Sequence, residues 1–265
     1  MITHADITDV PAGFVADPFM LNVNGTWHMF FEILSLLDHK GKIGWATSSD
    51  GLHWDYQRLV IDEPFHLSYP YVFEWQGEYY MVPESWEANG IRLYRADRFP
   101  DRWTFVGNLL EGFFLDVSLF RYQERWYFFA ETNPEHCFDT LRLYCADELM
   151  GPWHEHPASP ILQGDPQRAR PAGRVRVEGD VSGSLSGKGR VIRFAQGCQP
   201  DYGINVRAFE VMELTPTRYR EQEISQSPLF APSGTGWNRN GMHHLDAHLL
   251  SNGAWLACVD GWSKV

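Results

Sequence analysis

The stretch that decides the fold is VADPFMLNVNGTWHMFFE, residues 15–32. It contains two runs of apolar and aromatic residues separated by Asn24-Gly25, a dipeptide typical of the two-residue turn of a β-hairpin. Asp17 lies near the start of the first run, and Glu32 ends the second. The stretch therefore predicts an antiparallel hairpin that carries a carboxylate on each strand at its open end.

The same pattern recurs along the chain. Similar first runs begin near residues 68, 114, 170 and 244, and each second run ends in a polar residue: Glu32, Glu84, Glu131, Gln196 and Asp260. From Glu32 to Glu84 is 52 residues, and from Glu84 to Glu131 is 47. Units of about 40–50 residues with four strands each are typical of propeller blades.

The repeat predicts an all-β fold, a five-bladed β-propeller formed by residues 1–265 as one domain. The predicted blades are 13–62, 66–110, 113–162, 168–228 and 241–265, with an N-terminal strand from residues 1–12 closing the fifth. A β-sandwich would not require a polar residue at the end of every second strand. No long helical period supports an α/β fold. The Gly/Ser-rich stretch from Asp180 to Arg190 is predicted to be a surface loop.

Composition and charge limit the functional classes. The formal net charge is −12 and the pI about 5.3, so a nucleic-acid phosphate backbone would be repelled. No apolar run approaches the roughly 20 residues that cross a bilayer, and the N-terminus lacks the features of a signal peptide. The four cysteines are scattered, without a CxxC pair, which favours reduced thiols. We therefore expect a cytoplasmic protein that binds neither nucleic acid nor membranes.

The hairpin geometry predicts one polar funnel. The first and second strands of a blade are antiparallel, so the start of one and the end of the other lie at the same mouth of the channel. The residues expected there are Asp17, Glu32, Tyr69, Glu84, Asp116, Glu131, Arg170, Gln196, His244, Asp246 and Asp260. Carboxylates that converge can separate one another's pKa values, as hydrolysis of a glycosidic bond requires.

Other residues near this mouth have more than one interpretation. The candidates for stacking on sugar rings are Trp86, Tyr69, Tyr71, Phe113 and Phe114. Arg170 and Arg174 would either neutralise the acidic funnel or bind a carboxylate or phosphate of the ligand. His244, Asp246 and His248 share one face of a strand, where imidazole and carboxylate could hold a metal ion. We interpret them instead as a hydrogen-bonded wall and assign no metal ligand.

Short motifs carry a family resemblance. Ala16-Asp17-Pro18-Phe19, followed by a hairpin that ends in Phe30-Phe31-Glu32, resembles the first blade of the arabinanases and β-xylosidases of glycoside hydrolase family 43 and of the related fructosidases. The later motifs resemble more closely the N-terminal propeller domain of plant glucosamine inositolphosphorylceramide transferases and their bacterial relatives. Those motifs are Tyr69-Pro70, Pro83-Glu84-Ser85, Arg170-Pro171-Ala172-Gly173-Arg174 and His243-His244-Leu245-Asp246.

The resemblance implies catalytic roles. Asp17 would be the general base that activates water, and Asp116 would orient the sugar and tune the acid. The family's general acid is a glutamate from blade four, where this chain has Arg170-Pro171-Ala172. Glu84 is the first substitute for the acid and Glu131 the second. The resemblance also implies a water or a cation near His244, and the reaction requires no cofactor.

Two functions follow as hypotheses. The first is an inverting glycosidase with Asp17, Asp116 and Glu84 as catalytic residues, and with Glu32, Tyr69, Trp86, Glu131, Arg170, Arg174, His244 and Asp246 as substrate contacts. The second is a non-hydrolytic domain that binds or presents carbohydrate beside a glycosyltransferase-type partner domain. A protein-interaction propeller ranks last, because it does not need repeated acids at the axis.

Overall fold

The computed structural model describes residues 1–178 and 189–264, so most of the predicted loop over Asp180–Arg190 lies outside the described residues. The regular structure within these ranges is β-strand, apart from short 3-10 turns at His4–Asp6, Trp86–Ala88 and Gly236–Asn238. The all-β prediction is therefore confirmed. In the described part of the chain no helix has the length and hydrophobicity needed to cross a membrane.

The chain divides into two compact units. Unit 1 comprises Met1–Gly112 and Asp246–Val259, and unit 2 comprises Phe113–Leu245 and the residues from Asp260 onward. Each unit is built from four-stranded antiparallel sheets whose strands follow chain order. This is the arrangement expected of propeller blades.

Unit 1 contains two such sheets and most of a shorter one. Sheet 1 is β1 (Ala12–Val23), β2 (Thr26–Ser35), β3 (Gly41–Ser48) and β4 (Asp55–Ile61). Sheet 2 is β5 (Ser68–Trp75), β6 (Glu78–Glu84), β7 (Gly90–Arg98) and β8 (Arg102–Glu111). Sheet 5 has two strands, β17 (Leu245–Leu249) and β18 (Trp255–Val259).

Unit 2 contains the other two four-stranded sheets. Sheet 3 is β9 (Leu115–Tyr122), β10 (Arg125–Glu131), β11 (Leu141–Ala146) and β12 (His154–Glu155). Sheet 4 is β13 (Arg176–Glu178), β14 (Arg190–Gln196), β15 (Val206–Leu214) and β16 (Tyr219–Glu223). A buried cluster that includes Phe129, Leu143 and Val191 packs these two sheets together.

The inner hairpins have the turns that the sequence predicts. Asn24 and Gly25 have φ values of 52° and 84°, and Gln76 and Gly77 have 54° and 80°. Two consecutive residues with positive φ form the type I′ turn, whose twist matches that of the flanking strands. The third hairpin has the same turn at Gln123-Glu124, with φ values of 48° and 64° and no glycine.

The prediction of five blades is not supported. The described residues form four four-stranded sheets, and the predicted fifth unit, 241–265, supplies only the two strands of sheet 5. The predicted N-terminal strand is also absent from the described residues, because residues 1–11 contain a 3-10 turn and no strand. Side chains of this segment, Ile2, Ile7 and Val10, instead join an apolar cluster with Leu250 and Leu256. The segment therefore covers sheet 5 by side-chain packing, without backbone pairing.

Candidate functional site

One backbone feature repeats at the predicted polar positions of the first three sheets. Asp17, Tyr69 and Asp116 have φ values of 52°, 47° and 49°, which is the left-handed region that residues with a side chain rarely adopt. In each case the register with the second strand shifts at this residue, so the strand bulges there. Bulges with unusual backbone angles redirect side chains and are enriched beside functional sites. The repeat therefore includes a strained backbone position that no sequence pattern revealed.

In unit 1, the carboxylates of sheets 1 and 2 are buried and locally bonded. Glu84 Oε1 accepts a hydrogen bond from the Ser68 hydroxyl over 3.2 Å. Glu32 Oε1 lies 3.4 Å from His66 Nε2. Asp17 is also buried, with 7% of its surface exposed. The structure thus buries all three carboxylates, and their predicted contacts with a ligand stay predictions.

Tyr69 and Trp86, which the sequence predicts to contact substrate, differ in how deeply they are buried in unit 1. Tyr69 is fully buried, and its ring meets the Phe19 ring edge-on with 4.9 Å between centroids. These contacts make Tyr69 a core residue, so its predicted stacking on sugar is not supported. Trp86 is partly buried and begins the 3-10 turn Trp86–Ala88, directly after the strand that ends at Glu84.

Asp246 has a structural role within unit 1. Its Oδ2 accepts the backbone N–H of Met20 over 2.8 Å and lies 3.0 Å from His248 Nε2. The residue is fully buried. The contact between Asp246 and His248 agrees with the interpretation of this strand as a hydrogen-bonded wall, because a buried carboxylate must be hydrogen-bonded. The prediction that Asp246 contacts substrate is not supported.

In unit 2, Asp116 is joined to Arg170. Asp116 Oδ2 accepts hydrogen bonds from Arg170 Nε at 2.6 Å and from Gln196 Nε2 at 3.1 Å. The side chains of Asp116 and Arg170 are only 3% and 9% exposed. These two donors help to fix the orientation of the carboxylate, and the guanidinium offsets its negative charge. Of the two interpretations of Arg170, neutralisation of an acid is the one that this contact supports.

The backbone explains why sheet 4 departs from the repeat. Gln196 donates its N–H to the Arg170 carbonyl over 3.0 Å, and Pro171 lies opposite Ala195. Pro171 thus occupies the position that Asp17 and Asp116 hold in their own sheets. The proline ring fixes φ near −65° and excludes the left-handed conformation. Pro171 therefore cannot adopt the positive φ of Asp17 and Asp116, and the register of sheet 4 shifts farther along, between the pairs Pro171–Ala195 and Arg176–Ile192, where Gly173 has a φ of 125°. The side chain before Pro171, Arg170, supplies the polar group.

Glu131 is the carboxyl in unit 2 with the most unusual environment. Its Oε1 accepts the backbone N–H groups of Asn133 at 2.8 Å and Thr140 at 3.3 Å. Its Oε2 is buried and has no hydrogen-bond partner among the described residues. Burial raises the pKa of Glu131 to about 6, the negative charge of Asp116 adds to the rise, and the two N–H bonds and Arg170 oppose it. Glu131 is thus able to hold or release a proton near neutral pH.

Aromatic side chains pack around the buried Arg170 guanidinium, and we call this group the Arg170 cluster (Phe138, Arg170, Tyr202 and His243). The Arg170 guanidinium lies 4.6 Å from the Phe138 ring centroid and 5.1 Å from that of Tyr202. The Tyr202 and His243 rings are 5.6 Å apart. Tyr202 is 42% exposed, so this edge of the cluster is open to a ligand.

The structure places a different histidine in this cluster from the predicted one. His244 is fully buried, whereas His243 Nδ1 lies 3.0 Å from Asp260 Oδ1. The water or cation predicted near His244 stays a prediction, as does the absence of a cofactor. The other predicted arginine, Arg174, is partly buried and follows Gly173, whose backbone bridges Leu245.

The cysteines are free thiols, as predicted. Cys198 lies four residues before Tyr202, and its Sγ lies 3.9 Å from Gln196 Oε1. Burial raises the pKa of the Cys198 thiol to about 11, with the charges of Asp116 and Glu131 adding to the rise. The thiol is therefore neutral at physiological pH and a poor nucleophile.

Sequence reasoning missed Phe138, Tyr202 and His243. Phe138 and Tyr202 lie in the connections that follow β10 and β14, directly after the polar residues Glu131 and Gln196 that end those strands. Their position after these strand ends was the available signal, because connections at a sheet end commonly carry binding residues. His243 was visible only as one of two adjacent histidines.

Comparison with known proteins identifies a family and relatives that the chain resembles. Residues 1–262 match the family described as glucosamine inositolphosphorylceramide transferase 1, N-terminal. The glucosamine inositolphosphorylceramide transferase 1 of Oryza sativa subsp. japonica is 35% identical over 257 residues, which is 95% of this chain and 33% of the relative. The chain thus spans about a third of that relative's length.

Solved structures show the fold. The α-L-arabinofuranosidase PaAbf62A from Podospora anserina aligns with a TM-score of 0.62 at 12% identity, over 88% of this chain and 76% of that chain. Zg3597, a family 117 glycoside hydrolase from Zobellia galactanivorans, gives 0.56 at 16% identity, over 80% and 69%. At such identities the likeness shows the all-β propeller fold alone. From the family match and the identity to the rice protein, the chain belongs to the glucosamine inositolphosphorylceramide transferase 1 N-terminal family.

Proposed function

We propose that this chain is a carbohydrate-binding domain that presents a glycan for glycosyl transfer, with ligand contacts at the Arg170 cluster. The observation that carries the proposal is the open Tyr202 ring beside a buried ion pair, Asp116 and Arg170. Binding sites for small organic ligands combine aromatic faces with a few fixed polar groups. Tyr202 supplies the face, and His243 with Asp260 supplies polar groups beside it.

Two features favour binding over hydrolysis. The carboxylate of Asp116 is already bound by Arg170 and Gln196, so it is less suited to orient a sugar. The position from which the resembled hydrolases supply their acid carries Arg170-Pro171 instead. The relatives are named as transferases, which agrees with a domain that accompanies glycosyl transfer. A transferase-type partner domain and a cytoplasmic location remain proposals.

Binding to sugars tests this function. The purified chain is titrated with monosaccharides, amino sugars and inositol phosphates, and the tightest ligand is then titrated against Tyr202→Ala. Loss of one aromatic contact is worth about 0.5–1.5 kcal/mol, so we expect affinity to fall about two- to thirteenfold. Met150→Ala is the control, because this exposed side chain follows β11 at the end of sheet 3 away from Glu131. Equal affinities of Tyr202→Ala and the unmodified chain would refute the placement of the ligand.

A second candidate is hydrolysis of a glycoside by an inverting mechanism. It is favoured by Glu131, whose carboxyl has a pKa of about 6 and one oxygen without a hydrogen-bond partner in the described part of the chain. A raised pKa suits a general acid. On this proposal Glu131, the second substitute named from the sequence, replaces Glu84 as the acid. The roles of Asp17 as base and of Asp116 in orienting the sugar stay predictions from the family resemblance.

Turnover of aryl furanosides, aryl pyranosides and natural oligosaccharides tests hydrolysis. If Glu131 is the acid, Glu131→Gln should abolish turnover of natural substrates, and the rate should fall as pH rises through about 6. Glu84→Gln is the matched variant, with the same chemical change at the end of the preceding inner hairpin. Turnover lost in Glu84→Gln and retained in Glu131→Gln would restore the assignment made from the sequence. If the chain binds sugars but turns over no glycoside, the result would support the binding function and reject hydrolysis.

A further inference from the structure

Tyr202 lies in a connection whose own backbone bonds close its base. The connection, residues 197–205, joins β14 to β15, and we call it the Tyr202 loop. At the base Gly197 donates its N–H to the Asn205 carbonyl over 3.0 Å, and Ile204 donates to the Gly197 carbonyl over 3.0 Å. Tyr202 lies between these ends and is 42% exposed. The position of its ring therefore depends on contacts that the loop makes with other segments of unit 2.

The indole of Trp262 supplies one such contact. Its Nε1 donates a hydrogen bond over 3.0 Å to the carbonyl of Gly203, the residue that follows Tyr202. Trp262 is partly buried, and an indole N–H that is removed from water needs an acceptor. The bond joins two segments that are 59 residues apart and fixes a carbonyl in the residue next to the exposed ring.

Backbone bonds hold Trp262 itself in place. Asn240 donates its N–H to the Trp262 carbonyl over 3.0 Å, and Trp262 donates its own to the Gly241 carbonyl over 3.1 Å. This pair forms an antiparallel bridge. The Lys264 N–H adds a bond of 2.8 Å to the Asn240 side-chain oxygen. The indole therefore reaches the Tyr202 loop from a backbone that three hydrogen bonds position.

The same contact explains the glycines at 203 and 241. A Cβ added to Gly241 would come within 2.3 Å of Trp262 Nε1 and 2.4 Å of the Gly203 carbonyl oxygen. A Cβ added to Gly203 would lie 2.7 Å from His243 Cβ. The indole thus meets the Tyr202 loop where that loop packs against His243, and the Tyr202 and His243 rings lie 5.6 Å apart.

An ion pair links the same two segments with much less energy. Lys264 Nζ lies 3.1 Å from Asp201 Oδ1, but the two side chains are 65% and 54% exposed. Exposed pairs contribute little because water screens them and both side chains lose conformational freedom. The indole bond is therefore the stronger of the two contacts that hold the Tyr202 loop from this side.

We propose that Trp262 is a positioning residue of the carbohydrate site, which holds the Tyr202 loop in the conformation that binds ligand. A loop that is ordered before binding loses less conformational entropy when the ligand arrives. Trp262 acts through Tyr202, without touching the ligand. The proposal rests on the proposed carbohydrate function and adds how the binding loop of that site is ordered.

Hydrogen exchange without ligand tests the ordering. Trp262→Phe keeps an aromatic ring and removes the indole N–H. The loss of one net hydrogen bond is worth about two- to thirteenfold in an equilibrium constant, so exchange at Ile204, the bonded amide next to Gly203, should accelerate by a factor in this range. Gly241→Ala displaces the indole from the other side and should have the same effect.

The matched control is Trp153→Phe, also in unit 2. The Trp153 indole N–H donates to the Leu149 carbonyl over 3.1 Å, in the connection between β11 and β12. The chemical change is the same, and exchange at Ile204 should stay as in the unmodified chain. Exchange at Ile204 that is unchanged in Trp262→Phe, or equally accelerated in both variants, would overturn the proposal.

A double-mutant cycle tests the action through Tyr202. D-glucose, D-glucosamine and myo-inositol 1-phosphate are the probes, titrated by calorimetry. Trp262→Phe should lower the affinity by about two- to thirteenfold in the unmodified chain and leave it unchanged in Tyr202→Ala, because the ring that it positions is then absent. Equal losses in both backgrounds would overturn the proposal. Failure of the proposed function would appear separately, as an absent effect of Tyr202→Ala alone, and the exchange at Ile204 would then decide whether Trp262 orders the loop.

Discussion

The inner hairpins of sheet 1 and sheet 3 share a backbone plan and differ in chemistry. Both have a bulged aspartate with positive φ, Asp17 or Asp116, opposite a second strand that carries a glutamate, Glu32 or Glu131. In unit 1 the glutamate of sheet 1 meets an imidazole, His66, whereas in unit 2 Asp116 meets the guanidinium of Arg170. The repeat thus determines where polar groups lie, and neighbouring residues determine which partner each one has.

The buried ion pair of unit 2 should be the most sensitive point of this comparison. Arg170→Met leaves the Asp116 carboxylate buried without its guanidinium, so we expect the free energy of unfolding to fall by about 3–5 kcal/mol. Urea denaturation monitored by tryptophan fluorescence measures it. Arg98→Met in unit 1 is the control: its partner Asp101 lies 2.8 Å away, but Arg98 is 69% exposed, and little change is expected. Equal losses of stability in Arg170→Met and Arg98→Met would contradict the expectation that the buried ion pair matters more than the exposed one.

Glu131 should make stability depend on pH. Its pKa in the folded chain, about 6, exceeds the ordinary value of 4.5, so the folded state binds this proton more tightly than the unfolded state. The resulting stability is fully present below about pH 4.5 and is lost as pH rises through about 6, by about 2 kcal/mol in total.

Glu131→Gln is neutral at every pH and should lack this loss. Urea denaturation of both proteins from pH 4 to 8 measures the difference between them, which we expect to shift by about 2 kcal/mol in favour of the variant as pH rises. Two curves that stay parallel over this range would show that Glu131 titrates in the folded chain as it does in the unfolded one.

Substitutions in the hairpin turns of the two units should change the free energy of unfolding least. Glu124 in unit 2 has a φ of 64° where the matching turn of unit 1 has Gly77. Residues with a Cβ pay a steric cost in this conformation, so Glu124→Gly should raise the free energy of unfolding by about 0.5–1 kcal/mol. Gly77→Ala should lower it by about 1 kcal/mol, and since no atom lies within 4 Å of the added Cβ, the effect is one of backbone conformation. Thermal unfolding of both variants checks the opposite signs.

Much of the fold could be predicted because its strands and turns depend on residues close together in the sequence. Alternating apolar residues and turn pairs such as Asn24-Gly25 act over a few residues, and the structure has the expected hairpins there. The fifth blade could not be predicted in the same way. Whether Trp255–Val259 gains further strands depends on pairing with distant segments, and the N-terminal residues contribute packing without a strand.

The sequence named several residues of the candidate site, but it did not show which residues they contact. Asp116, Glu131 and Arg170 were all named from the repeat, but Arg170 pairs with Asp116 across 54 residues, a contact that no local pattern contains. The two adjacent histidines show the same limit. Only their burial and the distance to Asp260 distinguish His243 from His244.

By itself the sequence determined most of the strands, their turns and the polar residues near the strand ends, because these follow from side-chain periodicity and the conformational preferences of a few turn residues. Only the tertiary structure decided that Arg170 neutralises Asp116, that Asp246 holds a strand, and that Glu131 keeps a raised pKa. These properties depend on burial and on charges within a few ångströms, and both arise only when segments far apart in the chain come together.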